Sequence, residues 1–166
     1  MQKKDYKFKK DKKDTSWQSV AGWYDSVVGD KGSYYHEKLV IPGVIKLLDT
    51  LSYRSVLDLG CGQGILGRSF GNNIDYFGVD LSKTLVDSAK MRDSLSNHKY
   101  VVGDITKNIP VEKKDFDVVT CILALQNVTN PSEVIREASE HLRDRGRFIL
   151  ILNHPCFRIP RQSSWG

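Results

Sequence analysis

The stretch VLDLGCGQG, residues 56–64, decides how the rest of the chain is read. Four residues of strand-forming character run into glycines at 60, 62 and 64, a spacing that lets a backbone turn tightly and approach a ligand with no Cβ in the way. Outward from it, strand and helix alternate five times. SVLDLG (55–60), DYFGVD (75–80), KYVVGD (99–104), FDVVTCILAL (116–125) and RFILIL (147–152) read as strands. Between them, GILGRSF reads as a short helix, SKTLVDSAKMRDSL as a helix capped by Ser82, and the segment from Asn130 as a helix with proline at its first position. Asn130 and Glu133 are spaced as a capping box, Val134, Ala138 and Leu142 share one face, and Gly146 is the expected end. This alternation predicts an α/β fold, a doubly wound and mostly parallel sheet.

In open parallel sheets, ligands bind beyond the carboxyl ends of the strands, where the strand order reverses. The glycine turn belongs there. Asp80 closes the second strand twenty positions after Gly60, the place from which a carboxylate takes the two hydroxyls of a ribose. Gly62, Gly64 and Gly67 also satisfy G-x-G-x-x-G, which by itself permits a dinucleotide. Asp58 argues otherwise, because a carboxylate inside such a turn repels a pyrophosphate and suits a ligand bearing an amino group and a sulfonium. Asp104 closes the third strand, so three successive strands each bring an aspartate to one rim.

Taken in order, these pieces resemble the class I S-adenosylmethionine-dependent methyltransferases, in particular their small-molecule group. VLDLGCGQG is similar to that family's first motif, FGVDLS to its second, VVGDI to its third, FDVVTCILAL to its fourth, and LRDRGRFILIL to the element leading into its fifth strand. The resemblance implies a Rossmann-like fold, S-adenosylmethionine as cofactor with S-adenosylhomocysteine as product, and a small-molecule methyl acceptor. It also implies roles. Asp58, Gly60, Cys61 and Gly62 would cradle the methionine part, Asp80 the ribose, with Leu81 against the adenine. Asp104 would meet the adenine amino group with Ile105 alongside, Leu123 would offer backbone near the methionine, and Tyr24 would hold the cofactor carboxylate. No residue is singled out as catalytic beyond two weak candidates, His154 past the fifth strand and His36 on the other side of the site.

The flanks carry less information. The net charge is +5, but the seven lysines and three aspartates of residues 1–14 account for four of those charges, so the remainder is almost neutral. A disordered basic tail is expected there, and a nucleic-acid acceptor ranks second to a small molecule. Residues 15–53 read as a lid rich in Trp and Tyr followed by an amphipathic helix in LVIPGVIKLLDTL, with Pro42 near its start, and residues 54–166 as the cofactor-binding core. The three cysteines, widely spaced, suggest neither disulfides nor a metal site, and with no secretion signal the expected location is the cytoplasm. The family resemblance implies a helix and an antiparallel strand pair after the fifth strand. Without them the sequence reads as a piece of a longer protein, so a non-catalytic cofactor-binding fragment stays as an alternative; a nicotinamide-dependent oxidoreductase, permitted by the glycine spacing, is weakened by Asp58 and by the lack of a tyrosine-lysine pair after the fourth strand.

Overall fold

The computed structural model describes residues 34–154. The expected tail, the aromatic lid with Tyr24, and the end of the chain lie outside the described residues. Five strands form one parallel sheet: β1 (Ser55–Leu59), β2 (Asp75–Asp80), β3 (His98–Val102), β4 (Phe116–Ile122) and β5 (Leu142–Ile151), in the order β3-β2-β1-β4-β5. The order reverses beside β1, which lies between β2 and β4. Three helices cover the sheet: α1 (Ile41–Leu48), α2 (Lys83–Arg92) and α3 (Pro131–His141).

Alternation along β1 divides the core. Val56 joins Val44 and Leu48 of α1 and Val86 and Ala89 of α2 in one cluster, together with Phe70, Tyr76 and Tyr100. Leu57 and Leu59 join Val79, Phe116, Val119, Val134 and Ala138 in the other, under α3. Every residue of β1 is buried, as a strand covered on both faces requires. Asp117 ties three strand starts together: its Oδ2 accepts from the backbone N–H groups of Arg54 and Ser55, and its Oδ1 pairs with Arg143 Nε at 2.6 Å.

Four local expectations are corrected. The helix after the glycine turn is replaced by a run of turns, with Arg68 N–H donating to Gly64 O at 3.1 Å, that ends in a 3₁₀ turn over Gly67–Ser69; a Cβ at Gly67 would meet the rings of Tyr100 and Tyr76. α3 has no capping box. The Glu133 carboxylate is taken by Arg136 at 2.9 Å, and Asn130 contributes only its backbone carbonyl, which accepts from Glu133 N–H. The same helix ends at His141, not at Gly146; Leu142 already pairs with Phe116, and a bulge with Arg145 at φ 59° intervenes before Arg147 pairs with Val118. The third strand stops at Val102, which leaves Asp104 in the loop that follows.

Before α1 the chain is already helical. Residues 36–40 form a π-turn in which Ile41 N–H donates to His36 O, five residues back. Pro42, near the start of α1, has no N–H to give the carbonyl four residues before it, and the wider turn absorbs that loss. The π-turn also brings His36 to the carboxyl end of the sheet.

Candidate functional site

A cavity of about 490 Å³ opens at the carboxyl ends of β1, β2 and β4. Its floor is the glycine turn. Gly60, Gly62 and Gly64 have φ of 81°, 54° and 76°, the left-handed region that glycine enters without strain. Gly60 is held by its N–H to Val79 O at 2.8 Å, and a Cβ there would collide with Ala124. Gly64 is needed for a second reason: a Cβ would come within 2.7 Å of the Tyr100 ring.

Asp80 stands at the end of β2, half-buried on the cavity wall. Its Oδ2 accepts from Gly62 N–H at 2.9 Å and its Oδ1 from Ser82 N–H at 2.8 Å, so one carboxylate fixes both the turn and the start of α2. Each oxygen keeps a lone pair for a ligand. Burial raises its pKa above the usual 3.8, against backbone N–H donors from Ser82, Gly62 and Leu81. Asp104 lines the same cavity from the loop after the neighbouring β3, where Gly103 N–H donates to Asp80 O at 3.0 Å. Burial opposes its ionisation too, but the Lys107 ammonium at 2.9 Å and the Thr106 donors outweigh burial and hold the carboxyl below its usual value.

Of the residues expected from sequence, Gly60, Gly62, Asp80, Leu81, Asp104, Ile105, Leu123 and His36 all line this cavity. Asp58 and Cys61 do not. Asp58 belongs to β1, not to the turn, and its side chain leaves the strand on the face of Val56, where it accepts hydrogen bonds from Tyr76 Oη and Thr120 Oγ1, each at 2.7 Å. Cys61 is buried beside Gly78, where an added Cβ would meet its Sγ at 2.8 Å. His154 is exposed and is not among the lining residues, although its neighbour Asn153 is. Tyr24 lies outside the described residues.

The wall that sequence reasoning missed follows β4. Leu123 has φ 53°, a conformation that costs an L-residue roughly 1–2 kcal/mol. Its N–H donates to Ile151 O at 2.8 Å, and its carbonyl accepts from Asn127 Nδ2 at 3.3 Å. Gln126, Asn127 and Asn130 then line the cavity, joined by Asn153 from the end of β5. The signal was present in LALQNV: polar residues directly after a buried strand, at the carboxyl end of a parallel sheet. Among the described residues no group of His, Cys, Asp and Glu is placed to hold a metal ion, and no helix is long and apolar enough to cross a membrane.

Residues 57–150 match the methyltransferase domain family model. The chain therefore belongs to that family, the class I S-adenosylmethionine-dependent methyltransferases. It is similar to the ubiquinone biosynthesis O-methyltransferase of Hydrogenovibrio crunogenus, at 26% identity over 75% of this chain and 52% of the relative. The protein of the same name from Coxiella burnetii is 30% identical over 66% of this chain and 49% of its own length. The chain thus spans about half the length of these curated relatives. Among solved structures, phosphoethanolamine N-methyltransferase 2 of Haemonchus contortus, in complex with S-adenosyl-L-methionine, shares the fold with a TM-score of 0.67 at 19% identity, over 80% of this chain and 32% of that one.

Proposed function

We propose that the protein transfers the methyl group of S-adenosylmethionine to a hydroxyl of a small-molecule acceptor. The observation that carries this reading is the pairing, in one cavity, of a Cβ-free glycine floor with Asp80 at the end of β2 and Asp104 in the loop after the neighbouring β3. The residues present suit that cofactor. Gly60 and Gly62 leave room for the methionine part, Asp80 would hold the ribose hydroxyls, and Asp104 with Ile105 would hold the adenine. A dinucleotide suits it less, because the glycines run into turns and one 3₁₀ turn and not into a regular α-helix whose N-terminus would steady a pyrophosphate. The oxygen acceptor is taken from the names of the relatives from Hydrogenovibrio and Coxiella.

When bound, S-adenosylmethionine supplies a methyl carbon on a sulfonium, and its transfer to a hydroxyl forms an O–C bond, breaks the S–C bond, leaves the electron pair on sulfur and releases the hydroxyl proton. The protein's part is to orient the two reactants, exclude water and receive that proton. Among the described residues lining the cavity, His36 is the imidazole, and we assign it that proton. Burial lowers its pKa below the usual 6.5, so at neutral pH the imidazole carries no extra proton.

Two measurements test this. Calorimetric titration should show S-adenosylhomocysteine binding and no comparable response to NAD; the reverse pattern ends the methyltransferase reading. With His36 as base, kcat should be level at neutral pH and fall as pH drops through a value below 6.5, where the imidazole gains its proton. His36→Gln should lose about 10²-fold in kcat and the acid limb of the profile with it. An unchanged profile in that variant removes His36 from the chemistry.

A further inference from the structure

Three glycines make room for one tyrosine ring. A Cβ on Gly64 would lie 2.7 Å from Tyr100 Cε1, one on Gly78 would lie 2.8 Å from Tyr100 Cδ1, and one on Gly67 would run into the Tyr100 hydroxyl. Gly67 and Gly78 are outside the left-handed region, so what their missing side chains supply is space and not backbone freedom. Gly78 faces Asp58 on one side and Tyr100 on the other, and over this gap the ring crosses β2 to reach the turn that follows β1. Cys61 of that turn enters the same gap, with Sγ 2.8 Å from a Cβ on Gly78. The ring is pinned from beyond α2: Tyr100 Oη donates to Asp93 Oδ2 at 2.6 Å, and the same oxygen pairs with His98 Nδ1 at 2.7 Å. Burial and the Asp93 carboxylate raise the Tyr100 pKa, so the hydroxyl keeps its proton and stays a donor. Tyr100 is 4% exposed and is not among the described residues lining the cavity.

We propose that Tyr100 is a positioning residue for the cofactor: without touching it, the ring props the glycine turn at the height at which Gly60 and Gly62 receive the methionine part of S-adenosylmethionine. The last two glycines of the G-x-G-x-x-G spacing thereby have a use other than approach to a ligand, since they let the turn settle onto Tyr100. Hydrogen bonds from Val79 O and Asp80 Oδ2 on β2 hold Gly60, Cys61 and Gly62. The segment from Gly64 onward rests instead on the Tyr100 ring, joined at Gly67 by the ring of Tyr76. Protein interiors are close-packed, so a support of this size fixes what lies on it, and its removal leaves a space into which the neighbours sink only in part. This role rests on the methyltransferase reading above and adds to it a buried residue that acts on cofactor affinity through the floor.

S-adenosylhomocysteine affinity, read by calorimetry on the full chain at a temperature well below each unfolding midpoint, tests this. Tyr100→Leu, which removes the ring, should weaken binding by about tenfold or more, and Tyr100→Phe, which keeps it, should stay within about threefold of wild type. Val134→Ala opens a space in the other core cluster, under α3; it should lower the unfolding midpoint and leave affinity within about threefold of wild type. A loss in Tyr100→Leu no larger than that in Val134→Ala overturns the proposal, because destabilisation alone then accounts for it. Gly67→Ala approaches the same contact from the other side. Its methyl group meets the Tyr100 hydroxyl and should weaken binding by about tenfold; combined with Tyr100→Phe, which takes that oxygen away, about threefold should return, with the Tyr76 ring still crowding the methyl. If Tyr100→Leu does not fold, this pair decides, and a double variant that binds no better than Gly67→Ala overturns the proposal. A wild type that binds no S-adenosylhomocysteine removes the methyltransferase reading itself, whereas wild-type binding that survives unchanged in Tyr100→Leu removes only the role of Tyr100.

Discussion

Asp80→Ala is expected to weaken S-adenosylhomocysteine binding by about 10²–10⁴-fold while leaving a folded protein. In the proposed complex this carboxylate accepts from two ribose hydroxyls, and hydrogen bonds to a charged group are worth about 1.5–3 kcal/mol each, so losing both corresponds to such a factor. A further loss comes from the floor. Gly62 N–H, which Asp80 Oδ2 now holds at 2.9 Å, loses the partner that sets the turn, and Ser82 N–H loses its partner at the start of α2. Gly62 lines the open cavity and its N–H can turn to water, whereas Ser82 is buried and its N–H would lose this partner inside the protein, so the cost to stability should be about 1–3 kcal/mol. Calorimetry for affinity and thermal unfolding for stability separate the two effects. An affinity within threefold of wild type would show that Asp80 organises the turn without touching the ligand.

How far the sequence reveals this site depends on which kind of signal each residue gives. The glycine turn and Asp80 were legible because their chemistry is local: a left-handed φ needs glycine, and a carboxylate at a strand end beside a switch point has one obvious use. Five strands and their parallel pairing were legible for a similar reason, since long apolar runs separated by helical spacing leave few other arrangements. Asp58 was read toward the ligand because it stands two residues before the glycines. Read as part of the turn it faces the ligand, but as the fourth residue of β1 it faces Tyr76 and Thr120. Local helix signals failed where other contacts intervened: Glu133 is drawn off its cap by Arg136, and the last helix gives way at Leu142 to pairing with Phe116 of β4. The wall of Gln126, Asn127 and Asn153 depends on a left-handed Leu123 and on β5 arriving alongside β4, contacts between residues more than twenty positions apart. The fifth strand and the segment after β4 each looked ordinary alone.

Asp58 carries the second large expectation, and it concerns stability. The side chain is 3% exposed, and burial raises its pKa from 3.8 to about 6 against the hydrogen bonds from Tyr76 and Thr120, with the charge of Asp80 adding to the rise. A carboxyl whose folded pKa lies above its unfolded value binds its proton more tightly in the native state. The stability it contributes is fully present below pH 3.8 and is lost as pH rises through about 6. That shift of roughly two units corresponds to about 3 kcal/mol, an upper figure for a buried group. Asp80, also raised, acts in the same direction, while His36, lowered, acts oppositely below 6.5. Asp93, Asp104 and Asp117 are all held below their usual values, so their contributions are lost only on further acidification. Comparing wild type with Asp58→Asn cancels all of these but Asp58. The amide keeps an oxygen for one hydroxyl and its NH₂ can donate to the other, so at pH 4.5 the variant should lie within about 1 kcal/mol of wild type. By pH 7.5 the balance should have moved about 2 kcal/mol in the variant's favour, because wild type alone must then bury a charge. Urea midpoints at the two pH values read this directly, and parallel behaviour would mean that Asp58 stays ionised throughout. Cofactor binding sharpens the result. Asp58 does not line the cavity, so Asp58→Asn should change S-adenosylhomocysteine affinity by less than tenfold. A loss as large as that of Asp80→Ala would instead put Asp58 in contact with the ligand, as the family resemblance implies.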